Sequence, residues 1–238
     1  MKKINNIAVI LSAGSGTRMG NTLLPKQFLS LSMKPIIIIT IQRILKASLF
    51  DRVILVVNKN WIKYVNQLLE NYSINLHNID IVCGGSERLD SIDNALEFVK
   101  KNYLYDDPVI VFFDSVRPFV SDEIIENSVK YACEYGVAVA GVGVKDTVYE
   151  LSNKNINSVI PRDSLISGQA PDSFRLSILN ECFKALTEEA KKNITGTIQI
   201  CLLNGYDAYV YPGDENNFKI TTKSDYMLAK ILSRNCEN

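Results

Sequence analysis

Histidine occurs once in these 238 residues, as His77 in the polar stretch Asn75-Leu-His-Asn78. A hydrolase built on a Ser-His-Asp relay needs its histidine beside a nucleophile, so the sequence argues against that chemistry and makes His77 a surface residue. Net charge is missing too: 26 basic residues balance 26 acidic ones. No global field steers the chain to nucleic acid or anionic lipid, and any anion site must be built locally. No apolar run approaches the ~20 residues of a membrane span. The five apolar residues before Ser12 are too few for a signal-peptide core. The five cysteines (Cys83, Cys133, Cys182, Cys201, Cys236) are odd in number and lack a Cys-x-x-Cys pair. They argue against a disulfide framework or zinc site and for buried, reduced thiols in a cytoplasmic protein.

Hydrophobic residues make up 47% of the chain and charged residues 22%, an ordinary globular balance. At ~150 residues per domain the length fits one large domain or two small ones. Short β-branched runs alternate with longer stretches of helical period, which predicts an α/β sheet. The strands are expected at 7–11, 53–57, 79–82, 109–113, 137–142 and 206–211, and the helices at 36–48, 60–72, 87–101, 122–134, 175–189 and 222–235. Continuous apolar strands of this kind are buried on both faces, as parallel strands are. Residues 145–174 break the rhythm with two short strands around a polar turn, and are expected as a β-arm inserted in a single domain spanning 1–238.

The first strand runs into Ser12-Ala-Gly-Ser-Gly-Thr-Arg-Met-Gly20. Gly14 and Gly16 permit a tight turn that aims backbone N–H groups at one point, a concavity suited to phosphate. The dinucleotide fingerprint needs glycine where Met19 stands, and the P-loop needs Gly-Lys-Ser/Thr where Met19-Gly-Asn21 stands. Arg18 and Lys26 lie eight residues apart and can reach one polyphosphate, the first as a fork and the second as a point charge. Asp114 closes the run 109–113 where α/β sheets place ligands; as a hard oxygen donor it suits Mg²⁺, and by itself it equally suits a turn cap. Gly84-Gly85, taken alone, is a turn with Ser86 capping the next helix.

The ordered motifs Ala13-Gly-Ser-Gly-Thr-Arg-Met-Gly20, Pro25-Lys-Gln27, Gly84-Gly-Ser-Glu-Arg-Leu-Asp-Ser91, Asp114-Ser-Val-Arg-Pro-Phe119, Asp146-Thr147, Arg162 and Asn217-Phe-Lys-Ile-Thr-Thr222 resemble those of the cytidylyltransferases that make CDP-linked polyols. The family includes ribitol 5-phosphate and 2-C-methyl-D-erythritol 4-phosphate branches, and the resemblance runs from about Ile7 to Ala229. It implies a Rossmann-like three-layer αβα sandwich with a mixed, mostly parallel sheet and a β-arm exchanged in a homodimer. The implied reaction is Mg²⁺-dependent transfer of CMP from CTP to a polyol phosphate, releasing pyrophosphate. Asp-Ser-Val-Arg-Pro and Leu24 point to the ribitol branch. Whether the product feeds a teichoic acid, a capsule or isoprenoids stays open.

The resemblance also implies roles. Leu11, Ser12, Ala13, Gly14, Ser15 and Gly16 would cradle CTP with Arg18 and Lys26; Gly84, Gly85, Arg88 and Ser91 would hold its base side, with Ser115 nearby. Arg117, Thr147, Arg162, Thr195 and Lys219 would hold the acceptor, Asp114 would bind Mg²⁺, and Arg18, Lys26, Arg162 and Lys219 would act in catalysis. No general base is needed, because a phosphate monoester with a second pKa of ~6 is already an anionic nucleophile at neutral pH. Three positions depart from the pattern: Phe113 replaces a histidine, Gln169-Ala-Pro-Asp172 replaces Gln-Thr-Pro-Gln, and Thr195-Gly196 replaces Thr-Asp. Two rival classes fare worse. Intact Arg18, Lys26 and Lys219 argue against a non-catalytic nucleotide-binding regulator, and Met19 argues against a nicotinamide enzyme.

Overall fold

Burial on both faces defines β1 (Asn6–Ser12), where Ala8 and Ile10 enter one apolar layer and Ile7 and Val9 the other. The computed structural model describes residues 4–14 and 24–235. After β1 a small hairpin, β2 (Ser30–Leu31) and β3 (Lys34–Pro35), leads into α1 (Ile36–Lys46). Alternation of β4 (Arg52–Val57), α2 (Ile62–Asn71), β5 (Ile79–Cys83), α3 (Arg88–Asn102), β6 (Val109–Asp114) and α4 (Asp122–Tyr135) follows. The chain continues through β7 (Val137–Gly143), β8 (Val148–Ser152), β9 (Asn155–Ile160) and β10 (Ile166–Arg175). It ends with α5 (Leu176–Lys184), α6 (Glu188–Asn193), α7 (Thr197–Leu202), β11 (Tyr209–Pro212) and α8 (Lys223–Asn235).

The main sheet has the order β11-β7-β10-β6-β1-β4-β5. β10 runs antiparallel to its neighbours β6 and β7, and the other adjacent pairs are parallel. Side chains of α1, α2 and α4 cover one face, and those of α3, α5 and α7 the other, which makes the expected three-layer sandwich. Helix starts follow local chemistry: the Ser121 hydroxyl accepts from the Ile124 N–H at 3.2 Å, and Thr222 and Asp225 exchange backbone-to-side-chain bonds at the head of α8.

Several expectations are corrected. The arm is shorter than 145–174: β8 and β9 alone form the separate hairpin, and from Ile166 the chain returns to the main sheet as β10. Pairing on both edges, with Ser173 and Phe174 fully buried, makes β10 a central strand although its sequence Ile-Ser-Gly-Gln-Ala-Pro-Asp-Ser-Phe-Arg reads as polar. The helix expected at 175–189 stops at Lys184, because Thr187 accepts from the Ala190 N–H and starts α6. The last strand begins at Tyr209, not at Tyr206. Cys182 and Cys201 are buried thiols as expected, whereas Cys83 and Cys133 are exposed; Cys236 lies outside the described residues. Phe113 packs edge-on against Phe50 in the core, so this departure sits away from the polar site.

Candidate active site

β1, β4, β5 and β6 end side by side, and the chain leaves β1 toward β4 on one side while β6 lies on the other. This switch in direction opens a crevice at the carboxyl ends of the strands. A cavity of about 460 Å³ occupies it, walled by residues 11–14, Lys26 and Gln27, Asn58, residues 85–88, Ser91, residues 114–116 and Lys219. Glycine is required where two walls meet: a Cβ on Gly84 would collide with the Ala13 methyl, and one on Gly85 with Asp90. The Ser91 hydroxyl accepts from the Gly85 N–H at 3.1 Å and donates to the Glu87 carbonyl, fixing the turn. Ser86 donates to Asp90 at 2.6 Å, and Asp90 accepts the Glu87 N–H. Asp90, not Ser86, therefore takes up the free amide at the head of α3.

Asp114 ends β6 with a side chain only 8% exposed. Its Oδ1 accepts from Arg88 Nη1 at 3.2 Å, and its Oδ2 from Arg117 Nε and Lys219 Nζ, each at 3.1 Å. Burial pushes this carboxyl up, but the charges of Lys219, Arg88 and Arg117 outweigh burial and hold it well below the usual carboxylate range. Both oxygens are committed to cations, and no group of three His, Cys, Asp or Glu side chains able to hold a metal occurs among the described residues. Asp114, expected from the resemblance to bind Mg²⁺, is thus ringed by three cations, an arrangement that fits the positioning of those cations. Asp172, on β10, lies 4.0 Å from Arg88 Nη2. Burial raises its pKa to about 6, with the Asp114 charge adding to the rise and Arg88 opposing it.

A further set of buried polar groups escaped the sequence reading. Gln27 donates both amide protons to the loop after β1, to Ser12 O at 3.0 Å and Gly14 O at 3.1 Å. Gln169 and Asn217 fasten the segment between β11 and α8 that carries Lys219: Asn217 donates to Ala170 O at 2.9 Å and to Gln169 Oε1, Gln169 donates to Asp214 O, and Arg117 donates to Asn217 O. Lys26 Nζ reaches the Ile220 carbonyl at 2.8 Å, and the Ile220 N–H reaches Val116 O. Their signal was burial, which no spacing reveals, although Gln27 and Asn217 stand inside motifs already noted.

Among the expected site residues, Leu11, Ser12, Ala13, Gly14, Lys26, Gly85, Arg88, Ser91, Asp114, Ser115 and Lys219 meet at the cavity, and Gly84 packs directly behind it. Arg117 joins through Asp114. Thr147 and Arg162 do not join: both are exposed beside the β8–β9 hairpin, where Arg162 Nη1 donates to Lys145 O at 2.8 Å. Thr195 is exposed too, its N–H bonded to Gln199. Ser15, Gly16 and Arg18 lie outside the described residues.

An αβα sandwich with a cation-ringed, glycine-walled crevice at its strand ends is the architecture of an enzyme acting on nucleoside phosphates. Residues 6–235 match the family model of 2-C-methyl-D-erythritol 4-phosphate cytidylyltransferase (IspD), and the chain belongs to that family. It is 34% identical over 226 residues to ribitol-5-phosphate cytidylyltransferase of Lactiplantibacillus plantarum, a match that covers 94% of this chain and 97% of that protein. Among solved structures, 4-diphosphocytidyl-2C-methyl-D-erythritol synthase of Anaerococcus prevotii superposes with a TM-score of 0.80 at 22% identity, covering 97% of this chain and 99% of that one. The Francisella tularensis 2-C-methyl-D-erythritol 4-phosphate cytidylyltransferase superposes at 0.78 and 24%, covering 95% and 99%. The chain is a CTP-dependent nucleotidyltransferase. No helix among the described residues is long and apolar enough to cross a membrane.

Proposed function

We propose that this enzyme, in the cytoplasm, transfers CMP from CTP to D-ribitol 5-phosphate, yielding CDP-ribitol and pyrophosphate. The observation that carries the chemistry is the convergence of Lys26, Arg88 and Lys219 on one crevice beside Asp114. The acceptor phosphate, largely dianionic at neutral pH, attacks the α-phosphorus in line; the new P–O bond forms as the bond to the β-phosphate oxygen breaks. Lys26, with Arg18 from the loop after β1, stabilises charge gathering on the departing pyrophosphate. Lys219, pinned by Asp114, and Arg117 face the acceptor phosphate. Mg²⁺ enters as part of the MgCTP substrate, with no ligand assigned to this chain.

Support for ribitol phosphate comes from the 34% identical relative that carries ribitol in its name and from Asp114-Ser-Val-Arg-Pro118. The family model favours a second reading, with 2-C-methyl-D-erythritol 4-phosphate as acceptor. Ala170 and Gly196 lack groups that would hold acceptor hydroxyls, and each missing neutral hydrogen bond blunts discrimination by ~1 kcal/mol, or several-fold in rate. Ribitol phosphate is therefore expected to be the best acceptor, with partial use of other pentitol and tetritol phosphates. Pyrophosphate release at fixed MgCTP measures kcat/KM for each; a strong preference for the methylerythritol compound overturns the assignment and leaves the cytidylyl transfer intact.

The same reading makes the enzyme a homodimer joined through the hairpin. Among the described residues β8 and β9 pair only with each other, and they expose Leu151 at 67%, Ile156 at 61% and Val159 at 61%. An isolated hairpin is marginal and needs a surface to pack on. A partner's hairpin would bring its Thr147 and Arg162 to an acceptor site that lacks them within one chain. Deleting residues 151–158 is expected to produce monomers with poor acceptor turnover; sedimentation showing a monomeric wild type refutes this.

A further inference from the structure

Arg88 is a partition. On one side is the nucleotide crevice; on the other is a second cavity of about 390 Å³, bounded by the first turn of α3, by Lys191 and Lys192, and by the stretch before α7. The guanidinium has three neighbours: Asp114 Oδ1 at 3.2 Å, the Thr197 hydroxyl at 3.4 Å and Asp172 Oδ2 at 4.0 Å. Its buried Nε has no partner among the described residues. Thr197 and Asp172 thus both approach Nη2, the hydroxyl as an acceptor and the carboxylate as a charge.

We propose that Asp172 is a positioning residue for the nucleotide crevice: with Thr197 it holds Nη2 of Arg88 from behind, so that Nη1 stays on Asp114 and the guanidinium faces CTP. A flexible arginine with a single partner samples many rotamers, and a planar fork gripped at both ends does not. Lys191 and Lys192 across the second cavity repel Arg88, whereas Asp172 attracts it from β10. Two of the departures noted in the sequence converge here: a carboxylate stands at 172, and none stands at 196, one residue before Thr197. The negative charge opposite Arg88 comes from the sheet and not from the loop before α7. Keeping Asp172 ionised disfavours folding, since its burial raises its pKa to about 6, and a side chain retained for packing alone would carry no charge. The inference rests on CTP binding and not on which polyol phosphate is the acceptor.

Calorimetric titration with MgCTP, alongside thermal melting at pH 7.5, tests it on the full chain. Asp172→Asn keeps the shape and removes the charge. It is expected to weaken CTP binding about tenfold while melting no lower than wild type. In an Arg88→Met background the same change is expected to do nothing further. Gly196 has extended backbone, with φ −141° and open space where a Cβ would go, so a carboxylate fits there. Adding Gly196→Asp to Asp172→Asn is expected to restore most of the lost affinity from the other side of Arg88. Unchanged CTP affinity in Asp172→Asn, an equal loss without Arg88, failure of Gly196→Asp to restore binding, or a loss that tracks a lowered melting point each overturns the proposal.

Discussion

Lys26→Ala is expected to lower kcat ~100-fold or more at saturating CTP while the fold survives. The charge on Lys26 matters most as pyrophosphate departs, and a preorganised charge contact of that kind contributes ~3 kcal/mol to the transition state. Its structural part is smaller. The ammonium reaches the Ile220 carbonyl at 2.8 Å, in the segment that carries Lys219, and a partly exposed hydrogen bond of that sort contributes ~1 kcal/mol. A ratio so weighted to rate over stability separates a catalytic cation from a strut. Arg18→Ala is expected to behave alike, because the proposed reaction sets both cations on the departing pyrophosphate. Single-turnover rates with excess MgCTP, paired with urea unfolding, give the two numbers; an unchanged kcat removes the residue from the mechanism.

The parts of the fold legible in advance were those whose information is local. β1, β4 and β6 announce themselves because each is a run of β-branched or aromatic side chains buried on both faces, and the helices follow from their period and capping residues. β10 was not legible. Its ten residues alternate no apolar face, and it becomes a strand because β6 and β7 present free edges about ten ångströms apart with room for one ladder between. Tertiary pairing overrode a polar, proline-containing sequence. The same division runs through the site. Glycine turns, Lys26, Asp114 and Lys219 could be named from motifs on single loops. The contacts that aim them could not: Arg88, itself named from a motif, meets Thr197 across 109 positions, and Asn217 meets Gln169 across 48. Asp114 could be named from its place at a strand end, but the three cations gathered on it could not, since Arg88 and Lys219 come from distant segments.

Asp114→Asn is expected to destabilise the protein by about 3–5 kcal/mol and to abolish most turnover, because it leaves Arg88, Arg117 and Lys219 gathered around a neutral amide. Removing one partner of a buried ion cluster costs more than the cluster contributes net, since the remaining charges keep their desolvation penalty and gain mutual repulsion. The pH dependence carries a sign. The Asp114 carboxyl is held below its ordinary value by its three cations, so its stabilisation is fully present above about pH 4 and fades as acid falls through its lower folded value. The Asp114 charge also raises Asp172, whose pKa is about 6, so the stability gap between wild type and Asp114→Asn is expected to widen slightly as pH falls through 6 and to narrow only below about pH 4. Turnover is expected to fall for a separate reason: Lys219 loses its ionic anchor at 3.1 Å, and the proposed reaction needs that ammonium at the acceptor phosphate. Urea midpoints across that pH range, with kcat and KM at several Mg²⁺ concentrations, decide between the two accounts of this residue. A variant as stable as wild type whose Mg²⁺ requirement rises would return Asp114 to the metal; a destabilised variant with an unshifted Mg²⁺ requirement leaves it as the hub that sets three cations around the reacting phosphates.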